Sequence, residues 1–516
     1  MGFRFACGLL AATILSGCTV GPDFKSPDTA SPASWFSFTS RQPDTTKQAP
    51  VNPSATVTAP IETAWWGVFK DPELSALEGR VSAENLDVRV AAIRLSESRQ
   101  QRNIIAADQM PTINGNANYT REKPSAKGIF SALTGGAPSS GSNPATTASG
   151  TGGVAGGIPG ASLLQPFNLY SYGFDASWEL DLWGRVRREM ESAKASVDAS
   201  EQARRAALVS VLAELARDYV QLRGIQASAD ITRQNLATAR DSLHLTQDRF
   251  NGGLTTQLDV ENARAQVATT EAQLPQLEQQ QDAAINAISL LLGEAPGALR
   301  GELAAAKPVP PVPPVVPVGL PSDLLRRRPD IAQAEAQLHA STADIGVAVA
   351  DFYPRIALSG SLSLQALQFK DVGSWAARQY ALGPTLTLPL FEGGRLRGTL
   401  DLRQAQQQEA YINYQKTVLQ GFHDVANAMD AYEAEQRRRA QLQIAVSAAG
   451  NALNLSKQRY TQGVADFLQV LDAQRTLLGA QQQLADSTTT VSTNLVAIYK
   501  ALGGGWETDE TVAEAK

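Results

Sequence analysis

Leu468, Asp472 and Arg475 stand at i, i+4 and i+7, the spacing that puts three side chains on one face of a helix. On a single helix the acid and the base form a solvated pair worth little. Repeated around a symmetry axis, the same residues form rings. A ring of Leu closes a narrow pore by dewetting, and a ring of carboxylates holds cations and repels anions. Asp466 precedes this helix with Gln469 three residues on, and Thr256 precedes another with Asp259 three residues on. Both are helix-capping arrangements.

Enzymatic chemistry has little to work with. The chain of 516 residues holds three His, two Cys and four Met. His244, His339 and His423 are far apart and outside HExxH spacing, so no metal site is expected. Neither a phosphate-cradling GxxxxGK[ST] nor a GxSxG nucleophile turn occurs. No catalytic residue and no cofactor are assigned, and the chain reads as a non-enzyme. A net charge of −6 argues against a nucleic-acid partner.

Arg4 precedes an apolar run from Phe5 to Leu15, and Leu15-Ser16-Gly17-Cys18 fits a bacterial lipobox. Residues 1–17 are read as a lipoprotein signal peptide, with Cys18 as the lipidated residue. An ordinary signal peptide with a chance Cys is the alternative. The apolar run is too short to span a bilayer as a helix.

These residues must be positioned by a repeated scaffold. Residues 249–266 (RFNGGLTTQLDVENARAQ) and 459–476 (RYTQGVADFLQVLDAQRT) are two copies of one turn, 210 residues apart. Pro-free stretches from 187 to 250 and from 396 to 461 precede the turns. At about 1.5 Å per residue each makes a rod of roughly 100 Å. In the first, Leu208, Leu215, Leu222, Ala229, Leu236, Leu243 and Phe250 recur every seven residues, the seam of supercoiled helices. After the turns, helices are expected from Thr256 to Leu292 and from Asp466 to Leu502. Further helices are expected from Pro72 to Asp108 and from Ser322 to Asp351.

Strands are expected at 112–122, from Tyr170 to Leu182, at 355–365 and at 382–391. From Tyr170 to Leu182 one face is aromatic and aliphatic while the other is small or acidic, the alternation of a membrane barrel strand with lipid outside and water inside. Residues 123–165 form a Gly-rich loop. Early motifs repeat at an offset of 243 and later ones at 210, so the first half carries an insertion between its strands.

The expected domains are a tether over 18–70, a first repeat over 71–293, a Pro-rich linker over 294–321, a second repeat over 322–503 and a tail over 504–516. Four strands cannot close a barrel in lipid. Three chains supply twelve, and cyclic symmetry closes them. The expected fold is therefore an α+β membrane protein: a trimeric twelve-stranded β-barrel, continued by a long periplasmic α-helical barrel, with an internal duplication.

Seven motifs in order carry a family resemblance: GCTVGPDF, AWWGVFKDPEL, DLWGRVRRE, GLPSDLLRRRPDI, LFEGGR, RYTQGVADFLQVLDAQR and YKALGGGW. The chain resembles the TolC family of outer membrane factors, in the NodT/OprM-like lipoprotein branch. The resemblance implies a homotrimer in the outer membrane, extending into the periplasm. It implies a passive exit duct for small molecules, with a membrane fusion protein as adaptor and an RND-type inner-membrane pump behind it. The outer duct of a type I protein-secretion system shares this fold and is the alternative; the lipobox favours efflux. The resemblance also implies a periplasmic gate at Leu468, Asp472 and Arg475, and a tip latch between Tyr460 and Asp259. Ala465 stands where the enteric member has an Arg in that latch.

Overall fold

The structure is a computed structural model; it describes residues 19–29, 32, 34–35, 54–123, 125 and 166–507. Cys18 and nearly all of the Gly-rich loop lie outside the described residues. In chain order, β1 (Ala55–Val57) and a 3-10 turn at Trp65–Phe69 precede the first repeat, which opens with α1 (Pro72–Glu84), α2 (Leu86–Ala107), β2 (Thr112–Glu122) and β3 (Phe167–Leu180). It continues with α3 (Arg185–Asn251), α4 (Gln257–Glu271) and α5 (Gln273–Leu291). The short α6 (Arg300–Leu303) and β4 (Val315–Pro317) lead to α7 (Pro321–Arg327), α8 (Pro329–Ala350), β5 (Arg355–Ala366) and β6 (Arg378–Thr387). Last come α9 (Arg395–Thr461) and α10 (Phe467–Ala501).

The duplication is metrical. Helices α3 and α9 are both 67 residues long and begin 210 residues apart. Gly184 and Gly394 precede them with φ of 83° and 90°, a left-handed conformation that suits Gly. Other expectations need correction. The helix from Thr256 to Leu292 is broken at Ala272, because Pro275 lacks an N–H and its ring crowds the carbonyl four residues back. The helix from Ser322 to Asp351 is broken at Arg328, where the following Pro329 disfavours helical backbone. The helix from Pro72 to Asp108 is broken at Asn85, whose Oδ1 accepts from Asp87 N and Val88 N and starts α2. The strand expected at 382–391 begins and ends earlier, at 378 and 387. Leu388 and Leu390 therefore lie outside it, since Pro389 cannot donate to a ladder. Within the Pro-rich linker, β4 pairs in parallel with β1.

The chain divides into two compact units. One contains the sheet, in the order β2-β3-β5-β6 with every pairing antiparallel. Register gives it two unlike faces. Tyr119, Tyr170 and Ala366 share one line across the sheet; so do Ala117, Tyr172 and Leu364; and so do Ile113, Ala176, Gly360 and Leu382. The opposite face carries Asn114, Asp175 and Ser361 in one line and Asn118, Ser171 and Gln365 in another. Asn116 Nδ2 donates to Asp175 Oδ2 at 2.8 Å on that polar face. Tyr119 and Tyr170 lie against each other towards one end of the sheet. Towards the other end, Trp178 Nε1 donates to Gln109 O at 3.0 Å and Trp183 Nε1 to Pro354 O at 2.9 Å. Aromatic residues at two levels of an apolar face form the interfacial girdles of a membrane barrel. The 14 residues of β3 exceed the roughly 9–11 that a tilted strand needs to cross a bilayer.

The other unit is helical apart from the β1–β4 pair. Leu208, Leu215, Leu222, Ala229 and Leu236 of the heptad seam are buried. The seam then fades, with Leu243 half-buried and Phe250 exposed. Trp65 stacks on Tyr499 at 5.3 Å and meets Trp66 edge-on, within the same core. Arg223, fully buried, pairs with Glu73, and Tyr219 donates to Asp71 at 2.8 Å. This network joins the start of α1 to the middle of α3.

Glu78 is an exception to paired burial. It is 1 % exposed, and neither carboxyl oxygen has a hydrogen-bond partner among the described residues. Burial pushes its pKa well above the carboxylate range, which favours the neutral acid. A folded-state pKa above the unfolded one contributes stability below the unfolded value, and that contribution is lost as pH rises through the folded value. Glu78→Gln should therefore flatten the fall in thermal stability as pH rises above the ordinary carboxylate range, with its gain largest at alkaline pH. Calorimetry of the detergent-solubilised protein measures this, and parallel profiles for both proteins would contradict it.

Candidate functional site

The two long helices end in the same way. Gly253 N donates to Phe250 O at 2.9 Å and Leu254 N to Arg249 O at 2.8 Å. In the second copy, Gly463 N donates to Tyr460 O and Val464 N to Arg459 O, both at 3.0 Å. This double closure, with Gly253 and Gly463 at φ of 73° and 76°, is a Schellman motif. Thr256 then caps α4 in a full capping box. Its hydroxyl accepts from Asp259 N, and Asp259 Oδ2 accepts from Thr256 N, both at 3.4 Å. Asp466 occupies the N-cap of α10 with extended backbone, but its side chain makes no capping bond. The expected second cap is thus one of position only. The exposed Asp466 carboxylate faces solvent, and Gln469 N bonds to the Asp466 carbonyl at 3.2 Å.

One face of α10 is buried and the other is bare. Phe467, Val470 and Leu471 join Tyr460, Leu453 and Ala263 in a small core separate from the main one. Leu468, 64 % exposed, and Asp472, also exposed, point away from it. Asp472 is in no ion pair among the described residues. Arg475 does not turn to Asp472; its Nε donates to Oε1 of the buried Gln266 on α4, at 2.9 Å. The counterparts of these three in the first copy are Leu258, Asn262 and Ala265, so the charge belongs to the second hairpin alone.

Arg475–Gln266 is one rung of a polar seam. Seven residues along, Gln482 Nε2 donates to Gln273 Oε1 at 3.1 Å. On the α3 side, Gln474 Nε2 donates to Ser242 Oγ at 2.6 Å, and Asn235 Nδ2 donates to Gln481 Oε1 at 2.7 Å. Helix α10 is held to its neighbours by side-chain amides at heptad spacing. Polar residues at such positions select partners at some cost in stability.

Within one chain, Tyr460 and Asp259 do not form the expected latch. Asp259 is occupied by its own turn, taking Thr255 Oγ1 at 2.5 Å and Thr256 Oγ1 at 3.1 Å. The Tyr460 hydroxyl is buried without a hydrogen-bond partner among the described residues. The hairpins are joined instead by Arg249, whose guanidinium lies over the Tyr460 ring at 4.7 Å and donates to Thr461 O at 3.1 Å. Sequence reasoning missed Arg249, although it opens the repeated motif and recurs as Arg459.

Sequence reasoning also missed a strap at the other end of the chain. Val20 N donates to Trp183 O at 3.1 Å, and buried Arg188 donates from Nε to Val20 O at 3.2 Å. Gly21, at φ of 91°, lies so near Gly346 that a Cβ would come within 2.5 Å of Gly346 Cα. The residue after Cys18 is thereby seated where β3 passes into α3, against Gly184.

A family model described as outer membrane efflux protein matches residues 78–294 and 320–504. The chain belongs to the outer membrane efflux protein family. It is 31 % identical to outer membrane protein OprJ of Pseudomonas aeruginosa, over 97 % of this chain and 95 % of that protein. It is 33 % identical to the toluene efflux pump outer membrane protein TtgC of Pseudomonas putida, over 96 % and 94 %. Among solved structures, the outer-membrane channel OprN matches with a TM-score of 0.80 and 35 % identity, over 95 % of this chain and all of that one. The fold is thus the trimeric one: four strands per chain in a twelve-stranded barrel, continued by a long helical barrel. The protein is an efflux channel of the outer membrane.

The unequal caps of this efflux channel are measurable. Thr256→Ala removes a bonded cap, at a cost of about 1 kcal/mol, and should speed amide exchange in the first turn of α4. Asp466→Ala removes no bond, and exchange in the first turn of α10 should change little. Equal acceleration of both turns would contradict the assignment.

Proposed function

We propose that the protein is the passive outer duct of a tripartite efflux assembly, gated by the Leu468/Asp472 face of α10. A periplasmic adaptor passes small molecules to it from an RND-type inner-membrane pump. Cys18 carries lipid, and the strap at residues 19–21 supports this by seating the next residue beside Trp183, at the girdle level of the sheet. The family relation supports the adaptor and pump as partners. Relatives named for toluene efflux, pyoverdine export and cation efflux align with 96 %, 86 % and 97 % of the chain. That range supports a duct which leaves the choice of cargo to its pump.

One observation carries the gate. Asp472 is exposed and unpaired beside an exposed Leu468, while Arg475, the nearby cation, is drawn off to Gln266. Around a threefold axis this leaves a carboxylate ring above a leucine ring, with no guanidinium paired to it within the chain. Carboxylate rings attract cations and exclude anions.

Trimers of Asp472→Ala in planar bilayers should carry a larger single-channel current than the parent and lose block by multivalent cations. Leu468→Ala should raise the current and keep the block. Parental current and block in Asp472→Ala would remove Asp472 from the gate.

A further inference from the structure

A trimer of a chain that builds its hairpin twice presents six hairpins around one ring. Half of the boundaries between them run from first hairpin to second within a protomer. The other half run from second hairpin to first across protomers. Only the first kind lies within the chain, and there Arg249 makes the join. It covers the Tyr460 ring and takes the Thr461 carbonyl, one of the last carbonyls of α9. Such groups lack helical partners and carry the negative end of the helix dipole.

At the offset of 210, Arg249 becomes Arg459, Phe250 becomes Tyr460 and Asn251 becomes Thr461. The two turns close with the same hydrogen bonds, so the carbonyls of Asn251 and Thr461 hold the same place in each. The second set is nevertheless incomplete in one chain. Phe250 is 40 % exposed where Tyr460 is 3 % exposed. Arg459 is exposed, and its side chain has no hydrogen bond or ion pair among the described residues. No described donor reaches the Asn251 carbonyl. A cation without an acceptor, an acceptor without a donor and an uncovered ring are the three parts of the join that Arg249 completes.

We propose that Arg459 of each protomer clamps the next copy of the chain, covering Phe250 of the partner subunit and donating to the carbonyl of Asn251 of the partner subunit. The tip ring is then closed by six like clamps, alternately within and between chains. A guanidinium suits both tasks, because it stacks on aromatic faces and donates in its own plane. The clamp rests on the trimeric assembly and not on the gate, so the result for Asp472 variants leaves it standing or falling by itself.

The test uses full-length trimers and a short bismaleimide linker. Arg459→Cys combined with Asn251→Cys should give covalent dimers and trimers on denaturing gels, while each single variant gives none. Arg249→Cys combined with Thr461→Cys should link within the chain and stay at monomer mass. Monomers alone from assembled trimers of the first pair would overturn the clamp. A photo-crosslinking aromatic residue in place of Phe250 provides a second reading that removes neither Arg. Its adduct should map to the peptide that contains residue 459 of another chain, and an adduct elsewhere would overturn the proposal.

Discussion

Everything in this protein depends on the backbone groups along two strand edges. The sheet ends at β2 on one side and β6 on the other, and in hydrocarbon an unpaired N–H or C=O costs several kcal/mol. A single chain cannot meet that cost. Its register has already sorted apolar side chains to one face and amides, hydroxyls and Asp175 to the other, so the edges can be satisfied only by curling round a wet interior. Assembly is therefore a condition of the fold. The pair of repeats then gives each chain two equal helical hairpins to carry that closure on.

Much of this was legible in the residues because period and punctuation are local. The alternation around Trp178 marks a strand, and the absence of Pro between Gly184 and the first turn marks a long helix. The breaks were less legible. Pro275 and Pro329 were visible as letters, yet helical patterns on both sides of each hid the interruption. Asn85 acts as a cap only because the chain turns there, and its Nδ2 is needed at Leu291 O, 2.7 Å away. The site divides in the same way. Thr256 and Asp259 meet three residues apart and could be paired from sequence. Arg475 finds Gln266 and Arg249 finds Thr461 across more than 200 residues. Such joins depend on how hairpins pack and leave no spacing to read.

The duplicated turns show how one architecture takes on unequal work. Both helices close with the same hydrogen bonds and the same left-handed Gly. The difference lies in the helix that each turn starts. The first copy spends its acid, Asp259, on its own cap. The second leaves Asp466 uncommitted to a cap, exposes Asp472, and ties its base to Gln266. The electrostatics of the ring are thus set by which carboxylates the local backbone has already engaged.

The polar seam along α10 has a further consequence for how its height is fixed. Displaced by one heptad, about 10 Å, Gln474 would face Asn235 and Gln481 would face Ser228. On the other side Arg475 would face Gln273 and Gln482 would face Gln280. Every mismatch is again a match. The seam specifies which face of the helix turns inward and is degenerate in translation, like a rack whose teeth are all alike. Position along the rack must then be set at its ends: by Tyr460 against Phe467 at the turn and by Tyr499 against Trp65 beyond the other end. Two aromatic stops, and not the long contact between them, index α10.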